Sequence, residues 1–275
     1  MSVAPRRRST LGRSDPGTQD RPPIDECIRI GEGWQYPLPP VIARPTFDAM
    51  LPRRLEPEVM DSQAEAVDYD SMDHGEVNRL FADDFLALLG PAASAEGALR
   101  VLDVGTGTAQ IPIEICRRRA DLKITAIDLA AHMLQLGQRN VIREGLSSRI
   151  RLEQVDAKAL PFETAGFDAL ISNSIIHHIP EPLSAFREMM RVVRPGGMLF
   201  VRDLLRPPDE KTLADLVARY VGNANDHQRQ MFGDSLHAAL TLDEVRALLR
   251  HSELPAEWAC QTSDRHWTIA GKVPP

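Results

Sequence analysis

Between Leu99 and Leu204 the sequence alternates short apolar runs with longer stretches of helical period, and no other feature restricts the fold as tightly. The runs are Leu99 to Val104, Lys123 to Asp128, Ile150 to Val155, Phe167 to Asn173 and Met198 to Leu204. The helical stretches are Ile111 to Arg119, His132 to Gly145 and Leu183 to Val193. Strands separated by helices pair in parallel through crossovers that lay the helices on both faces of the sheet. Glu257 to Thr262 and His266 to Ala270 alternate about Ser263-Asp264-Arg265 and read as an antiparallel hairpin closing one edge. The expected fold is α/β: a doubly wound, mostly parallel, seven-stranded Rossmann-like sheet with a C-terminal antiparallel hairpin and helical additions.

Three regions follow. Residues 1–45 hold Arg6, Arg7, Arg8 and Arg13 among Ser, Gly and Pro, then Pro22, Pro23, Pro37, Pro39 and Pro40, too little apolar surface to offset ordering. A disordered basic tail is expected there. Residues 46–98 are expected to form a helical N-terminal lid, with the pattern turning helical from about Pro52 to Gly90. There Val77, Leu80, Phe81, Phe85, Leu88 and Leu89 share one face. Residues 99–275 form the main domain, with a helical insert over 207–250. Its last helix opens on Thr241 with Glu244 three positions on, a capping box.

Composition narrows the partners. With 32 Lys and Arg against 39 Asp and Glu, the 275-residue chain carries a formal charge of -7, which disfavours a nucleic acid and favours a small molecule. No apolar run approaches the roughly 20 residues that cross a bilayer. Cys27, Cys116 and Cys260 are scattered, without the spacing of a zinc site or a disulfide framework. A cytoplasmic protein with no bound metal is expected, and its oligomeric state is left open.

The run Val101-Leu102-Asp103-Val104-Gly105-Thr106-Gly107-Thr108-Ala109 takes a strand through a glycine turn into a helix, where a ligand can lie against the backbone. Asp128 ends the next strand, placed to accept from both hydroxyls of a ribose. Gln110 stands where a pyrophosphate fingerprint has a third small residue, and Asp103 would repel phosphates. A carboxylate there suits a cation instead. S-adenosylmethionine carries a sulfonium and an ammonium and no phosphate.

Five ordered segments, VLDVGTGTA, ITAIDLAAHML, VDAKALPF, FDALISNSIIHHI and RVVRPGGMLF, resemble the class I S-adenosylmethionine-dependent methyltransferases over about Leu99 to Asp203. They are most similar to the small-molecule branch that includes the ubiquinone and menaquinone C-methyltransferases. The resemblance implies that Gly105 and Gly107 line the cofactor, that Asp103 lies near its amino acid end, and that Asp128, followed by Leu129, holds the ribose. It further implies Met133 and Ala157 near the adenine, Asp156 accepting from the adenine amino group, and Asn173 and Ser174 near the methionine part. Arg194-Pro195-Gly196-Gly197 reads as a tight connection into the strand at Met198.

Open parallel sheets bind ligands beyond their strands' carboxyl ends, which brings forward Ser174, His177, His178 and Asp203. One of the two histidines is expected to take a proton from the acceptor or orient it, His177 before His178. Tyr69, preceding the amphipathic helix where this family builds a lid, is expected to close over the methionine part. Tyr220, Asn223, Asn225, Asp226, His227, Gln228, Phe232 and Arg265 are candidate acceptor contacts. The expected activity is methyl transfer to a small acceptor. Alternatives are other S-adenosylmethionine chemistry on the same fold (aminocarboxypropyl transfer, cyclisation or lyase), an NAD-dependent oxidoreductase, or a binding protein without turnover.

Overall fold

The computed structural model describes residues 50–59, 61–72, 74–91 and 97–274, together with the backbone of 28–30 and 33–35. Strands β1 (Ile28–Ile30) and β2 (Gly33–Gln35) pair antiparallel. The rest of the tail expected over 1–45 lies outside the described residues.

Helices α1 (Gln63–Ser71) and α2 (Gly75–Leu89) precede the sheet. The sheet itself alternates β3 (Leu99–Val104), α3 (Gln110–Arg118), β4 (Leu122–Asp128), α4 (Ala131–Arg143), β5 (Ile150–Gln154), β6 (Phe167–Asn173), α5 (Pro182–Val192) and β7 (Val193–Leu204). Three helices follow, α6 (Glu210–Val221), α7 (Asp226–Ala238) and α8 (Leu242–His251), and then β8 (Ala259–Gln261) and β9 (His266–Lys272). The strand order is β5-β4-β3-β6-β7-β9-β8, parallel from β5 to β7 and antiparallel across β7, β9 and β8. The seven-stranded doubly wound sheet and its closing hairpin are as the sequence implies.

Period-two alternation sorts the strand side chains between two cores. From β3, Leu102 and Val104 pack with Phe186 and Met189 of α5 and Val245 and Leu249 of α8. Val101 points the other way, into a cluster with Ile113 and Ile115 of α3, Val141 of α4 and Phe81 and Phe85 of α2. The apolar stripe of α2 thus covers the sheet, with the Phe81 ring edge-on to Phe200 at 4.9 Å. Its polar face holds Asp83, which pairs with Arg118.

Two expectations are corrected. The helical period does not begin at Pro52: the described residues of 51–61 contain no helix, because Pro52 and Pro57 break the ladder, and the helix starts at Gln63, directly after the Ser62 cap of the Ser62–Glu65 capping box. The 194–197 segment is not a turn outside the sheet. β7 already starts at Val193, opposite Phe167, and Gly196 at φ +73° lets the strand stay bonded to Val273. Among the described residues no helix is long and apolar enough to cross a membrane.

Candidate active site

The chain enters the sheet at the interior strand β3, steps outward through β4 to β5, and returns to β6 on the other side of β3. Crossover helices diverge at such a switch point and leave a crevice at the strands' carboxyl ends. Here the crevice is a cavity lined by Tyr69, Gly105, Gly107, Asp128, Leu129, Met133, Asp156, Ala157, Asn173 and Ser174, together with Glu58, Val59, Lys158, Ile175, His178 and Ile179. A polar recess beside it shares Tyr69, Gly105 and Asn173 and adds Asp103, Thr106, Thr108, Asn78 and Gln110. The residues singled out around the glycine turn therefore converge on one place.

The turn is held from β4. Gly105 and Thr106 both donate to the Ile127 carbonyl at 2.9 Å. The Gly107 amide donates to Asp128 Oδ2 at 2.7 Å, and Ala130 donates to Oδ1 at 2.9 Å. Gly105 (φ +78°) and Gly107 (φ +53°) occupy left-handed backbone. A Cβ on Gly105 would lie 2.6 Å from the Ile175 side chain, whereas one on Gly107 would meet only Tyr69, at 3.6 Å. Gly107 thus faces open cavity.

Charge at this end is acidic and enclosed. Burial pushes the Asp128 carboxyl above its usual range against the backbone donors that lower it. Burial also pushes Asp103 up to about 7, with the Asp128 charge adding to it and the Thr106 hydroxyl opposing. Asp103 is 2% exposed, and its Oδ2 has no hydrogen-bond partner. Tyr69, pushed up to about 12 by burial and the neighbouring carboxylates, stands between cavity and recess with its ring 4.6 Å from that of His74.

The opposite wall starts where β6 ends. Ser174 sits at φ +56°, strained for a residue with a Cβ, and donates to the Arg202 carbonyl at 3.0 Å. The chain then makes a single turn of 3-10 helix, Ile176–His178. Asp203 is fully buried behind it. Its Oδ2 accepts from the Ile176 amide at 2.6 Å and its Oδ1 lies 2.5 Å from His177 Nδ1, so Asp203 fixes the turn and does not face the reaction. His177 is 3% exposed and stands off the cavity wall. His178 is the one on the wall, where burial and the His177 charge bring it down to about 3. His177 is raised: burial works against its charged form, and Asp203 overrides it.

Residues 51–58 carry side chains at the site that the sequence did not single out. This segment is an irregular strap tied to the body, with Leu51 donating to the Pro208 carbonyl and Arg54 to that of His237, and it reaches the cavity wall at Glu58. The Arg53 guanidinium donates to the carbonyls of His177, Ile179, Pro180 and Ala238 at 3.0 to 3.2 Å and, for Ala238, 2.8 Å. Glu56 approaches both histidines, and Glu58 pairs with Lys158, which also reaches Asp156 at 3.2 Å. The signal was present in Pro52 and Pro57, which favour extended backbone at the residue before each. Further on, Asp61 accepts from the His132 amide and so caps α4.

The polar set on the insert is spent locally. Asn225 and Gln228 form the capping box of α7, His227 pairs with Asp68, and Tyr220 donates to Asp264. Arg265 stacks on the Tyr220 ring, 3.3 Å from its centroid, and holds no carboxylate in a fork. None of these residues lines the cavity.

Residues 102–201, which include every wall strand of the cavity, match the family described as a methyltransferase domain. That stretch is similar to a methyltransferase domain. Among curated proteins it is 30% identical over 158 residues to a ubiquinone biosynthesis O-methyltransferase of Xanthomonas oryzae, covering 58% of this chain and 63% of that one. It is 31% identical over 165 residues to a demethylmenaquinone methyltransferase of Porphyromonas gingivalis, covering 58% and 65%. The chain therefore spans just under two thirds of the length of these relatives. A solved SAM dependent methyltransferase from Aquifex aeolicus superposes over 77% of this chain and 98% of its own at TM-score 0.52 and 16% identity, which shows a shared fold. The matched stretch ends within β7, so the strap, α1, α2 and the insert lie outside it.

Proposed function

We propose that the chain is an S-adenosylmethionine-dependent methyltransferase acting on a small-molecule acceptor. The observation that carries this reading is the Asp103 carboxylate, buried with one oxygen unpartnered, in the recess beside the open face of Gly107. An enclosed acid without a partner is costly. An ammonium supplies what it lacks. The donor set fits the rest of the group as well. Asp128 keeps free lone pairs beyond its two backbone bonds for a pair of vicinal hydroxyls, and Met133, Ala157 and Val155 offer an apolar slot ending in Asp156. Lys158 and Glu58 would fold over that slot.

When bound, the cofactor supplies a methyl group on a sulfonium, an electrophile that needs no further activation. The chain's part is alignment and exclusion of water. Tyr69 and the strap shut the mouth, Asn173 and Ser174 hold the methionine end, and Ile175, Ile179 and Val59 offer an apolar bed for the acceptor. His178, neutral and on the wall, is placed to orient an acceptor hydroxyl or amine by a hydrogen bond. The quinone-pathway names of the relatives agree with a small, partly apolar acceptor. The chain's negative charge agrees with the absence of a nucleic acid partner, and a cytoplasmic location completes the reading.

Incubation with methyl-labelled donor and a panel of phenols, quinols and amines, read by mass spectrometry, tests it. Labelled acceptor together with S-adenosylhomocysteine is expected. Methylthioadenosine in its place would assign aminocarboxypropyl or lyase chemistry, and no saturable donor binding in calorimetry would sink the reading.

A further inference from the structure

Behind the cavity wall, Glu56 Oε1 lies 3.4 Å from His177 Nε2 and 3.2 Å from His178 Nδ1. These three donor atoms all fall within 4.8 Å of one another. Neither Glu56 Oε1 nor His178 Nδ1 has a hydrogen-bond partner, and both atoms are sealed from solvent. Metal bonds of about 2.0 to 2.1 Å at tetrahedral angles put neighbouring donors about 3.3 Å apart. The two spacings around Glu56 match that value.

The tautomer of His177 strengthens the case. Its Nδ1 lies 2.5 Å from the Asp203 carboxylate, which can only accept, so Nδ1 carries a proton and the neutral ring presents its Nε2 lone pair toward Glu56. A lone pair and a carboxylate oxygen facing each other in a buried site repel unless a metal ion or a proton on Nε2 lies between them. Asp203 stands to His177 as the outer carboxylate of a carboxylate–histidine–metal arrangement, fixing ring orientation and basicity. Arg53 pins the same turn through the carbonyls of His177, Ile179 and Pro180, so the donors are held before any ion arrives.

We infer that Glu56, His177 and His178 form a divalent transition-metal site, with Asp203 as the positioning residue and zinc as the best-fitting ion. Two imidazoles and one carboxylate suit zinc, cobalt or iron, whereas magnesium and calcium seek all-oxygen shells. Three protein donors leave a fourth position open. Sequence spacing could not reveal the site, because its carboxylate comes from the strap, far along the chain from the paired histidines. Since His178 also lines the cavity, the ion stands at the acceptor end. That bearing on the acceptor rests on the methyl-transfer reading, whereas the site itself does not.

The test is titration of the metal-free full-length protein with zinc, cobalt and magnesium salts separately, by calorimetry and, for cobalt, by visible absorption, with no donor or acceptor present. One zinc per chain, cobalt bands of a nitrogen-coordinated ion and no saturable magnesium binding are expected. Glu56→Gln and His178→Gln should each weaken zinc at least 100-fold, and Asp203→Asn about 10 to 100-fold. Circular dichroism melts, and retained donor binding, identify any variant that has simply unfolded; Glu56→Gln is near isosteric and serves if the histidine variant does. Zinc affinity weaker than millimolar in the wild type, or equal zinc affinity in wild type and folded Glu56→Gln, overturns the site and leaves a proton on His177 as the buried cation. Loss of metal binding with intact methyl transfer would remove only its link to the acceptor.

Discussion

The Asp128 carboxylate spans the switch point, accepting the Gly107 amide on one oxygen and the Ala130 amide on the other. It therefore joins the glycine turn to the start of α4 before any ligand is present. Asp128 is a structural clamp and a candidate ribose acceptor at once, and its removal must show in both stability and binding.

Asp128→Asn keeps the shape and loses the charge. Donor affinity is expected to fall by about 1 to 3 kcal/mol, the scale for removing a charged hydrogen-bond acceptor. Calorimetry with S-adenosylhomocysteine measures it. Unchanged affinity would confine Asp128 to the structural task.

The two glycines of the turn should separate folding from binding. Gly105→Ala forces a Cβ to 2.6 Å from Ile175 at φ +78°, and Ile175 is itself packed against the core. A loss of about 2 to 4 kcal/mol and a lowered Tm are expected, combining overpacking with left-handed strain. Gly107→Ala has room for its Cβ and only the backbone strain to bear, about 1 kcal/mol. Its larger effect should be on donor affinity, because the new methyl group fills the space between the turn and Tyr69.

Arg53→Ala deletes one side chain that serves four carbonyls on two elements. Bonds to a charged donor contribute about 1.5 to 3 kcal/mol each and are not additive here, so a total near 3 kcal/mol is expected. Thermal unfolding measures that loss. Limited proteolysis should cut within 50–60 in the variant and not in the wild type, since the strap loses its anchor.

The strands, the glycine turn and the acids at its ends were legible because each rests on local periodicity or on a residue type with few other uses. Asp103, Asp128 and Asp156 all reach the cavity because strand ends at a switch point have nowhere else to face. The strap was not legible. A run of ten residues such as Met50 to Val59 has no period, and its fold depends on carbonyls of the 176–180 turn and α7 that exist only once the sheet is built. That His178 and not His177 lines the cavity was hidden for the same reason: the two rings lie together, 4.2 Å apart, and Asp203, seen only in three dimensions, draws the first of them inward. The insert's polar residues could not be sorted in the sequence because caps and surface pairs draw on the same residue types as ligand contacts.

Asp103 makes the pH dependence of stability specific. The folded chain holds its proton up to about pH 7, whereas an unfolded aspartate releases it near about 3.9. Between those values the folded state binds more protons than the unfolded state. Stability therefore falls as pH rises through this window and levels off above it. Asp103→Asn removes the contribution, so its Tm should gain on the wild type from pH 4 to pH 7.5 and stay parallel above. Equal pH profiles would mean that Asp103 is already charged when buried.

The same group predicts a proton count for donor binding. At pH 7 about half of the Asp103 carboxyls carry a proton in the free protein, as a pKa of about 7 requires. A ligand ammonium placed against Oδ2 favours the ionised form and lowers that pKa, so binding must expel the remaining proton fraction. Calorimetry of S-adenosylhomocysteine at pH 7 in buffers of different ionisation enthalpy should give a release of about half a proton per site, shrinking toward zero above pH 8.5. Asp103→Asn should abolish it while weakening affinity. A wild-type enthalpy independent of buffer would show that the ligand's amino group lies elsewhere, and the recess beside Gly107 would lose its assigned occupant.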